Sequence, residues 1–436
     1  MFHLKESQMS QAVSPSLTRK LFNMAMEIGD DVINLTLGDP DVLPPKEIRI
    51  AACEAIMAGK TRYSANAGLA DARKSYAAFF EKQYGFPIDP FKNTIATVGG
   101  MEGLFLGLSS LIDEGDEVVV LAPYYVNYYQ MIRMCGGKAV VVNRLGLTDE
   151  KIIQKVESNV NKKTVAIIIN SPCNPVGDIL SSTVIDGIAS IANRHNLLVI
   201  SDEVYNSLVY DGKRADSILT RIGMKNRTLL IDSCSKRFAM TGWRIGFAVG
   251  PQELISNMIK MQENVAACAP LPSQYAAITA YSGNLDYGYI RDEYQHRRDL
   301  VYEALCKAPG LKPIMPQATF YCFVDISDTG MDCEEFSYQL LEKKHVAVVP
   351  GKFLSDIYNS NYTIEGYILN EDKVKRRLNG EFIEIPASYK GKYSDAYGIG
   401  FLQINKKIME KEKMDNQYLF IVLENKDYIN QNHSNP

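Results

Sequence analysis

Residues 228–250 read TLLIDSCSKRFAMTGWRIGFAVG. Two apolar runs, TLLID at 228–232 and RIGFAVG at 244–250, flank a turn of small and hydroxyl-bearing residues that carries Lys236. A lone Ser-x-Ser-Lys is most often a solvated surface feature. Just past an apolar strand it acquires a second reading, because an open α/β sheet gathers its ligands at the carboxyl ends of its strands. An amine (Lys236), two hydroxyls (Ser233 and Ser235) and a guanidinium (Arg244) converging there suit a phosphorylated aldehyde. The amine condenses with the carbonyl to an imine while the other three hold the phosphate.

The same kind of run recurs N-terminal to this stretch: EVVVLA at 117–122, KAVVVN at 138–143, TVAIIIN at 164–170 and LLVISD at 197–202. Such runs need cover on both faces, which predicts a mostly parallel sheet flanked by helices. SSTVIDGIASIANRHN, 181–196, has helical spacing and stops just before the run at 197. An α/β domain over 45–290 follows. A long helix from about 286, closed by Pro309 and Gly310, leads into a smaller α+β domain built around ATFYCFVDI and HVAVVPG. That domain is expected to combine 1–44 with 291–436.

The 436 residues carry 47 Lys plus Arg against 51 Asp plus Glu, a net charge of −4 that lacks the basic excess of a nucleic-acid binder. The hydrophobic share of 46% supplies a large core. Eight cysteines are scattered singly without metal-ligand spacing, so neither a metal site nor a disulfide framework is expected. The first residues lack a signal-peptide core, and no stretch approaches the roughly 18 uninterrupted apolar residues of a membrane span. A cytoplasmic protein without membrane partners is expected.

Seven ordered blocks carry a family resemblance: LTLGDPDVLPP at 35–45, GKTRYSANAGL at 59–69, ATVGGMEGL at 96–104, APYYVNYY at 122–129, NSPCNPVG at 170–177, SDEVYNSLVYDG at 201–212 and the lysine segment. Over residues 15–355 the sequence resembles the class I/II pyridoxal-phosphate-dependent aminotransferases of the aspartate aminotransferase fold (fold type I). The resemblance implies pyridoxal 5′-phosphate as cofactor, bound as an imine on Lys236, and a homodimer with shared active sites.

Each block also has a plainer reading. Asp202 ends an apolar run, where a carboxylate is costly without a partner; a helix cap or a buried salt bridge would account for it. The resemblance implies instead that it pairs with the cofactor's pyridine nitrogen. NSPCNPVG is on its face a turn, yet Asn174 and Tyr205 match residues that hydrogen-bond the cofactor's phenolic oxygen. The paired glycines at 99–100 are a common strand-to-helix turn. Opening a helix, they would direct the amides of Gly100 and Met101 at an anion, and the resemblance places the phosphate there. The tyrosines at 124–129 read as packing, whereas Tyr125 matches the residue that stacks on the pyridine ring. Tyr63 matches a tyrosine that reaches the phosphate in the neighbouring subunit. Gly38, in a Gly-Asp-Pro stretch that is also an ordinary turn, matches a glycine whose backbone approaches the substrate.

The C-terminal part departs from the family pattern. Family members follow a Pro-Gly turn, here Pro350 and Gly351, with a short loop and a strand whose arginine grips the substrate carboxylate. No such strand follows. The best match is GIGFLQIN at 398–405, which puts Gln403 at the arginine's place after an insertion at about 355–395 rich in Lys, Asn and Tyr. Arg376 or a lysine folding back, a substrate without that carboxylate, a defective C-terminal part, and a different strand alignment all remain open.

The expected activity is ping-pong transfer of an amino group from an amino acid to a 2-oxo acid, with Lys236, Asp202 and Tyr205 at the chemistry. The alternative is a lyase or cyclase on the same cofactor. A non-catalytic binding protein on this fold is a third reading, opposed by the complete cofactor set.

Overall fold

Apolar runs with no face to turn to water bury themselves by pairing side by side under helices. The computed structural model describes residues 5–11, 13, 17–29 and 32–351, and beyond them the strand segments 369–370, 373–378, 381–385 and 418–422. Along the chain the strands are β1 (Ile33–Asn34), β2 (Thr94–Thr97), β3 (Glu117–Ala122), β4 (Lys138–Asn143), β5 (Thr164–Asn170), β6 (Leu198–Asp202), β7 (Thr228–Ser233) and β8 (Gly246–Val249). They continue as β9 (Lys312–Pro313), β10 (Tyr321–Asp325), β11 (Val346–Ala347), β12 (Val349–Pro350), β13 (Leu369–Asn370), β14 (Lys373–Leu378), β15 (Glu381–Ile385) and β16 (Tyr418–Val422).

Seven strands form one sheet in the order β2-β8-β7-β6-β5-β3-β4. The pairs from β4 through β7 are parallel, and β8 runs against both of its neighbours. Successive side chains point to opposite faces, and each face has its own cover. Val118 and Val120 join Ile168 and Ile200 in a core that includes Leu104 and Leu106 of the helix Gly99–Ser109 and Met258 of the helix Gln252–Val265. Val119 and Leu121 join Ile167, Ile169 and Val199 beneath the helices Asp149–Ser158 and Ser182–His195. Each such side chain contributes about 1.5–3 kcal/mol when fully buried, so a one-residue register slip in this sheet would be costly. The helix Ser182–His195 is bounded by its own chemistry. Ser181 accepts from the Val184 amide at 3.1 Å, and Asn196 adopts the left-handed conformation (φ 54°) that ends it.

From β3 the chain steps outward to β4 and then returns to lay β5 on the other side of β3. The reversal opens a crevice at the carboxyl ends of β3 and β5, where ligands of such sheets bind. A second, antiparallel sheet has the order β12-β16-β10-β9. It packs with the helix Gly288–Lys307 around Phe320, Phe323, Val301 and Leu305, in a core that also takes Tyr205, Leu208 and Tyr210 from the segment after β6. The strand between β10 and β12 is thus Tyr418–Val422; the segment 398–405 and Gln403 lie outside the described residues. Among the described residues, no helix is long and apolar enough to cross a membrane.

Candidate active site

Three strand ends and one turn build the site. β6 ends at Asp202, which is 4% exposed. Its carboxylate accepts from the Tyr128 hydroxyl at 2.5 Å and from the Val204 amide at 3.3 Å. Burial pushes the carboxyl up to about 6, against the opposing pull of the Tyr128 hydrogen bond. Among the described residues no lysine or arginine forms an ion pair with it, although a buried carboxylate ordinarily has a cation beside it. A protonated ring nitrogen would supply that charge.

β5 ends at Asn170, whose amide donates to the Asp202 carbonyl at 3.1 Å and whose side-chain oxygen accepts from the Asn174 amide N–H at 2.7 Å. Asn170 therefore locks the Ser-Pro-Cys-Asn-Pro turn onto the end of β6. Behind the turn, Arg144 and Asp178 form a bidentate pair at 2.6 and 2.8 Å. The Asn174 side chain, thus fixed, donates to the Tyr321 hydroxyl at 3.1 Å, and that hydroxyl lies 2.7 Å from the hydroxyl of Tyr205.

β7 leads into the lysine turn. Ser233 caps it, its hydroxyl accepting from the Ser235 amide at 3.1 Å and donating to the Ser235 hydroxyl at 2.9 Å. Lys236 donates to the Gly38 carbonyl, and its ammonium stands 5.1 Å from the centre of the Phe320 ring. The adjacent Arg237 pairs with Asp232 at 3.2 Å beneath the turn, with both side chains buried. Arg244 holds a left-handed backbone (φ 51°) and donates to the Thr241 carbonyl at 2.9 Å and the Val98 carbonyl at 3.3 Å.

These contacts bring Arg244 against the start of the helix Gly99–Ser109. A side chain on Gly99 (φ 73°) would place its Cβ 2.7 Å from the Arg244 guanidinium, and a Cβ on Gly100 would sit 3.7 Å from that of Ser233. Gly100, Ser233, Ser235 and Arg244 therefore lie close together at a helix N-terminus, a donor set suited to a phosphate dianion. Tyr125 lies beside Met101 of the same helix. Its hydroxyl contacts the Met101 sulfur at 3.3 Å, and its ring meets Tyr128 edge-on at 5.5 Å. Tyr124 is fully buried in the core against which Tyr125 packs only in part. An aldehyde-bearing, phosphorylated pyridine suits these groups: donors for an anion, an amine, a carboxylate without a cation among the described residues, an amide and a hydroxyl.

Two expected residues stand apart. Tyr63 is 86% exposed on the surface of the single chain, and Gln403 lies outside the described residues. Asn170, Tyr128 and Tyr321 join the site without having been singled out as cofactor ligands. For Asn170 a signal existed, since it ends an apolar strand as Asp202 does. Tyr321 sits inside an apolar run with nothing local to mark it.

The model of the family described as aminotransferase class I and II matches residues 30–355. The chain is 39% identical to an aspartate aminotransferase of Pyrococcus abyssi over 343 residues, which is 78% of this chain and 88% of that one. To aromatic-amino-acid aminotransferase 2 of Thermococcus litoralis it is 37% identical, with the same two coverages. The solved structure of the Thermus thermophilus aspartate aminotransferase with maleate superposes with a TM-score of 0.74 at 34% identity, covering 81% of this chain and 93% of the other. By this match and these similarities the chain belongs to the class I and II aminotransferases.

Proposed function

We propose that this aminotransferase binds pyridoxal 5′-phosphate in the cluster around Lys236 and moves an amino group from an amino acid to a 2-oxo acid in two half-reactions. The observation that carries the reading is Asp202, buried at the end of β6 with hydrogen bonds but, among the described residues, no cation. When bound, the cofactor supplies an aldehyde for the amino group and an electron sink for the charge left at Cα.

The chain's own residues do the rest. Asp202 holds a positive charge on the ring nitrogen. Ser233, Ser235, Arg244 and the amides of Gly100 and Met101 anchor the phosphate, so the cofactor stays in place when its link to Lys236 is open. Tyr125 would lie against the cofactor's ring, and Asn174 and Tyr205 would hold its phenolic oxygen. The Lys236 amine would hold the proton that leaves the donor's Cα, acting as base and then as acid.

The cofactor cluster falls in the 45–290 domain, with Gly38 and Tyr321 brought from the smaller one. For the substrate carboxylate we assign Gly38, Asn174 and Gln403. The sequence of β16, YLFIV, holds no cationic residue to share that task. The exposure of Tyr63, together with Ile50 and Met57 on the outer side of the helix Lys46–Met57, supports a homodimer in which Tyr63 serves the neighbouring site. The relatives' names point to aspartate and aromatic amino acids as the donors to try first.

The test is a single-turnover experiment on the cofactor-loaded protein without a 2-oxo acid. Loss of the cofactor's visible band with stoichiometric release of the donor's 2-oxo acid supports amino transfer. Return of the band with accumulating ammonia or a cyclised product would replace it with the lyase or cyclase reading.

A further inference from the structure

Tyr321 lies on β10, in the smaller sheet, yet its hydroxyl sits between two residues of the segments that follow β5 and β6 of the larger one. The Asn174 side-chain amide donates to it at 3.1 Å, and the Tyr205 hydroxyl is 2.7 Å away. All three residues are buried. The position of the hydroxyl is fixed from several sides. Thr319, buried and not a glycine, is held at φ 65°, and its hydroxyl accepts from the Tyr321 amide at 3.1 Å. A Cβ on Gly38, whose carbonyl receives the Lys236 ammonium, would stand 2.5 Å from the Tyr321 oxygen.

Counting protons gives this contact a direction. A tyrosine hydroxyl has one proton to give, and an asparagine amide has two. Asn174 spends one hydrogen on Tyr321. If Tyr321 in turn donates to the oxygen of Tyr205, the Tyr205 proton and the second Asn174 hydrogen are both left for another acceptor. Burial holds the Tyr205 phenol far above its ordinary range, so it keeps a proton to donate.

On this basis, and resting on the cofactor reading above, we infer that Tyr321 is a positioning residue. It aims the Asn174 amide and the Tyr205 hydroxyl at the cofactor's phenolic oxygen and strengthens the Tyr205 donor by hydrogen-bonding to it. Hydrogen bonds in a chain polarise one another. Through Tyr321 the smaller sheet thereby sets the protonation of the chromophore on Lys236, a property of the larger one.

The test is a pH titration of the visible absorbance of the cofactor-loaded protein, comparing wild type, Tyr321→Phe, Tyr205→Phe and the double variant. A donor to the phenolic oxygen stabilises the negative charge that remains when the chromophore loses its proton, so weakening that donor raises the midpoint. Tyr321→Phe is expected to raise it by about 0.5–1 pH unit, the scale of one net hydrogen bond. In the Tyr205→Phe background the same change is expected to shift the midpoint by less than half as much, because the two act as one unit. Tyr321→Met, a pliable side chain without the hydroxyl, should reproduce the shift if the Phe variant does not accumulate. A midpoint unchanged from wild type with the cofactor bound, or full additivity with Tyr205→Phe, overturns the positioning role and leaves the cofactor reading intact. A wild-type protein that takes up no cofactor overturns both.

Discussion

β3, β5, β6 and β7 each run into a polar or aromatic group of the site at their carboxyl ends, namely Tyr125, Asn174, Asp202 and the Lys236 turn. The sheet of β9, β10, β12 and β16 contributes from the middle of a buried stretch instead, through the Tyr321 hydroxyl and the Phe320 ring. The difference follows from strand direction. Neighbouring parallel strands end on the same side, so their termini pool polar groups in one crevice. Antiparallel neighbours end on opposite sides and cannot. Buried charges behind the parallel ends find partners within the same layer. Asp232 has Arg237, and Glu203 accepts from Ser201, Ser217, Tyr84 and Asn206. The larger sheet therefore gathers the charged groups of the candidate site, and the smaller one adds buried contacts to them.

The largest expected effect lies in the larger sheet. Lys236→Ala should reduce the half-reaction rate by at least about 10⁴-fold, the upper end of what a positioned acid–base contributes, as read by stopped-flow absorbance with excess donor. A loss of only tenfold would remove Lys236 from the centre of the comparison. Asp202→Asn keeps the shape and removes the charge. Taking away one partner of a buried pair costs about 3–5 kcal/mol, which is about 10²–10⁴-fold in the same assay. Wild-type turnover from this variant would mean that the missing cation is not the ring nitrogen.

A weaker effect is expected at the seam between the two sheets. Gly177 (φ 77°) gives its carbonyl to the amides of Gln317 at 2.8 Å and Ala318 at 2.9 Å, and a Cβ there would lie 3.1 Å from the Tyr321 carbonyl. Gly177→Ala should destabilise by about 1–3 kcal/mol in denaturant unfolding while the lysine-bound cofactor band persists. Losing the band along with the stability would show that placement and charge are not separable in this way.

The smallest effect is a pH slope. Burial raises Glu203 from 4.5 to about 7 and Asp202 from 3.8 to about 6. A carboxyl raised on folding binds its proton more tightly in the folded state, so its contribution is complete below the unfolded value and lost as pH rises through the folded one. The cofactor-free protein should therefore lose stability between about pH 4 and 7. Glu203→Gln should flatten the upper part of that slope in thermal melts at pH 5, 6 and 7; an unchanged slope would place the titration elsewhere.

Much of the larger sheet was legible before any coordinates. Its strands are short apolar runs between helical spacings, and its site residues follow those runs directly, so order along the chain maps onto order in the crevice. β2 and the antiparallel sense of β8 were not legible, because TIAT is short and direction leaves no trace in side-chain pattern. Tyr125 and Tyr124 are adjacent tyrosines that both meet the core; Tyr124 is fully buried in it, while the Tyr125 hydroxyl reaches the Met101 sulfur. In the smaller sheet the strand beside β12 is drawn from 418–422, far beyond the turn at Pro350 and Gly351, where a local pattern pointed to 398–405.

The sequence by itself determined the family and the mostly parallel sheet and marked the candidate residues from Gly100 to Arg244, since each is written in a contiguous block whose neighbours enforce its conformation. Only the tertiary structure decided that Asp202 has no cation beside it among the described residues, that Asn170 locks the Asn174 turn, and that Tyr321 joins Asn174 and Tyr205. Those contacts span residues distant in the chain, and their free energies come from burial and hydrogen bonding that exist only once the strands have paired.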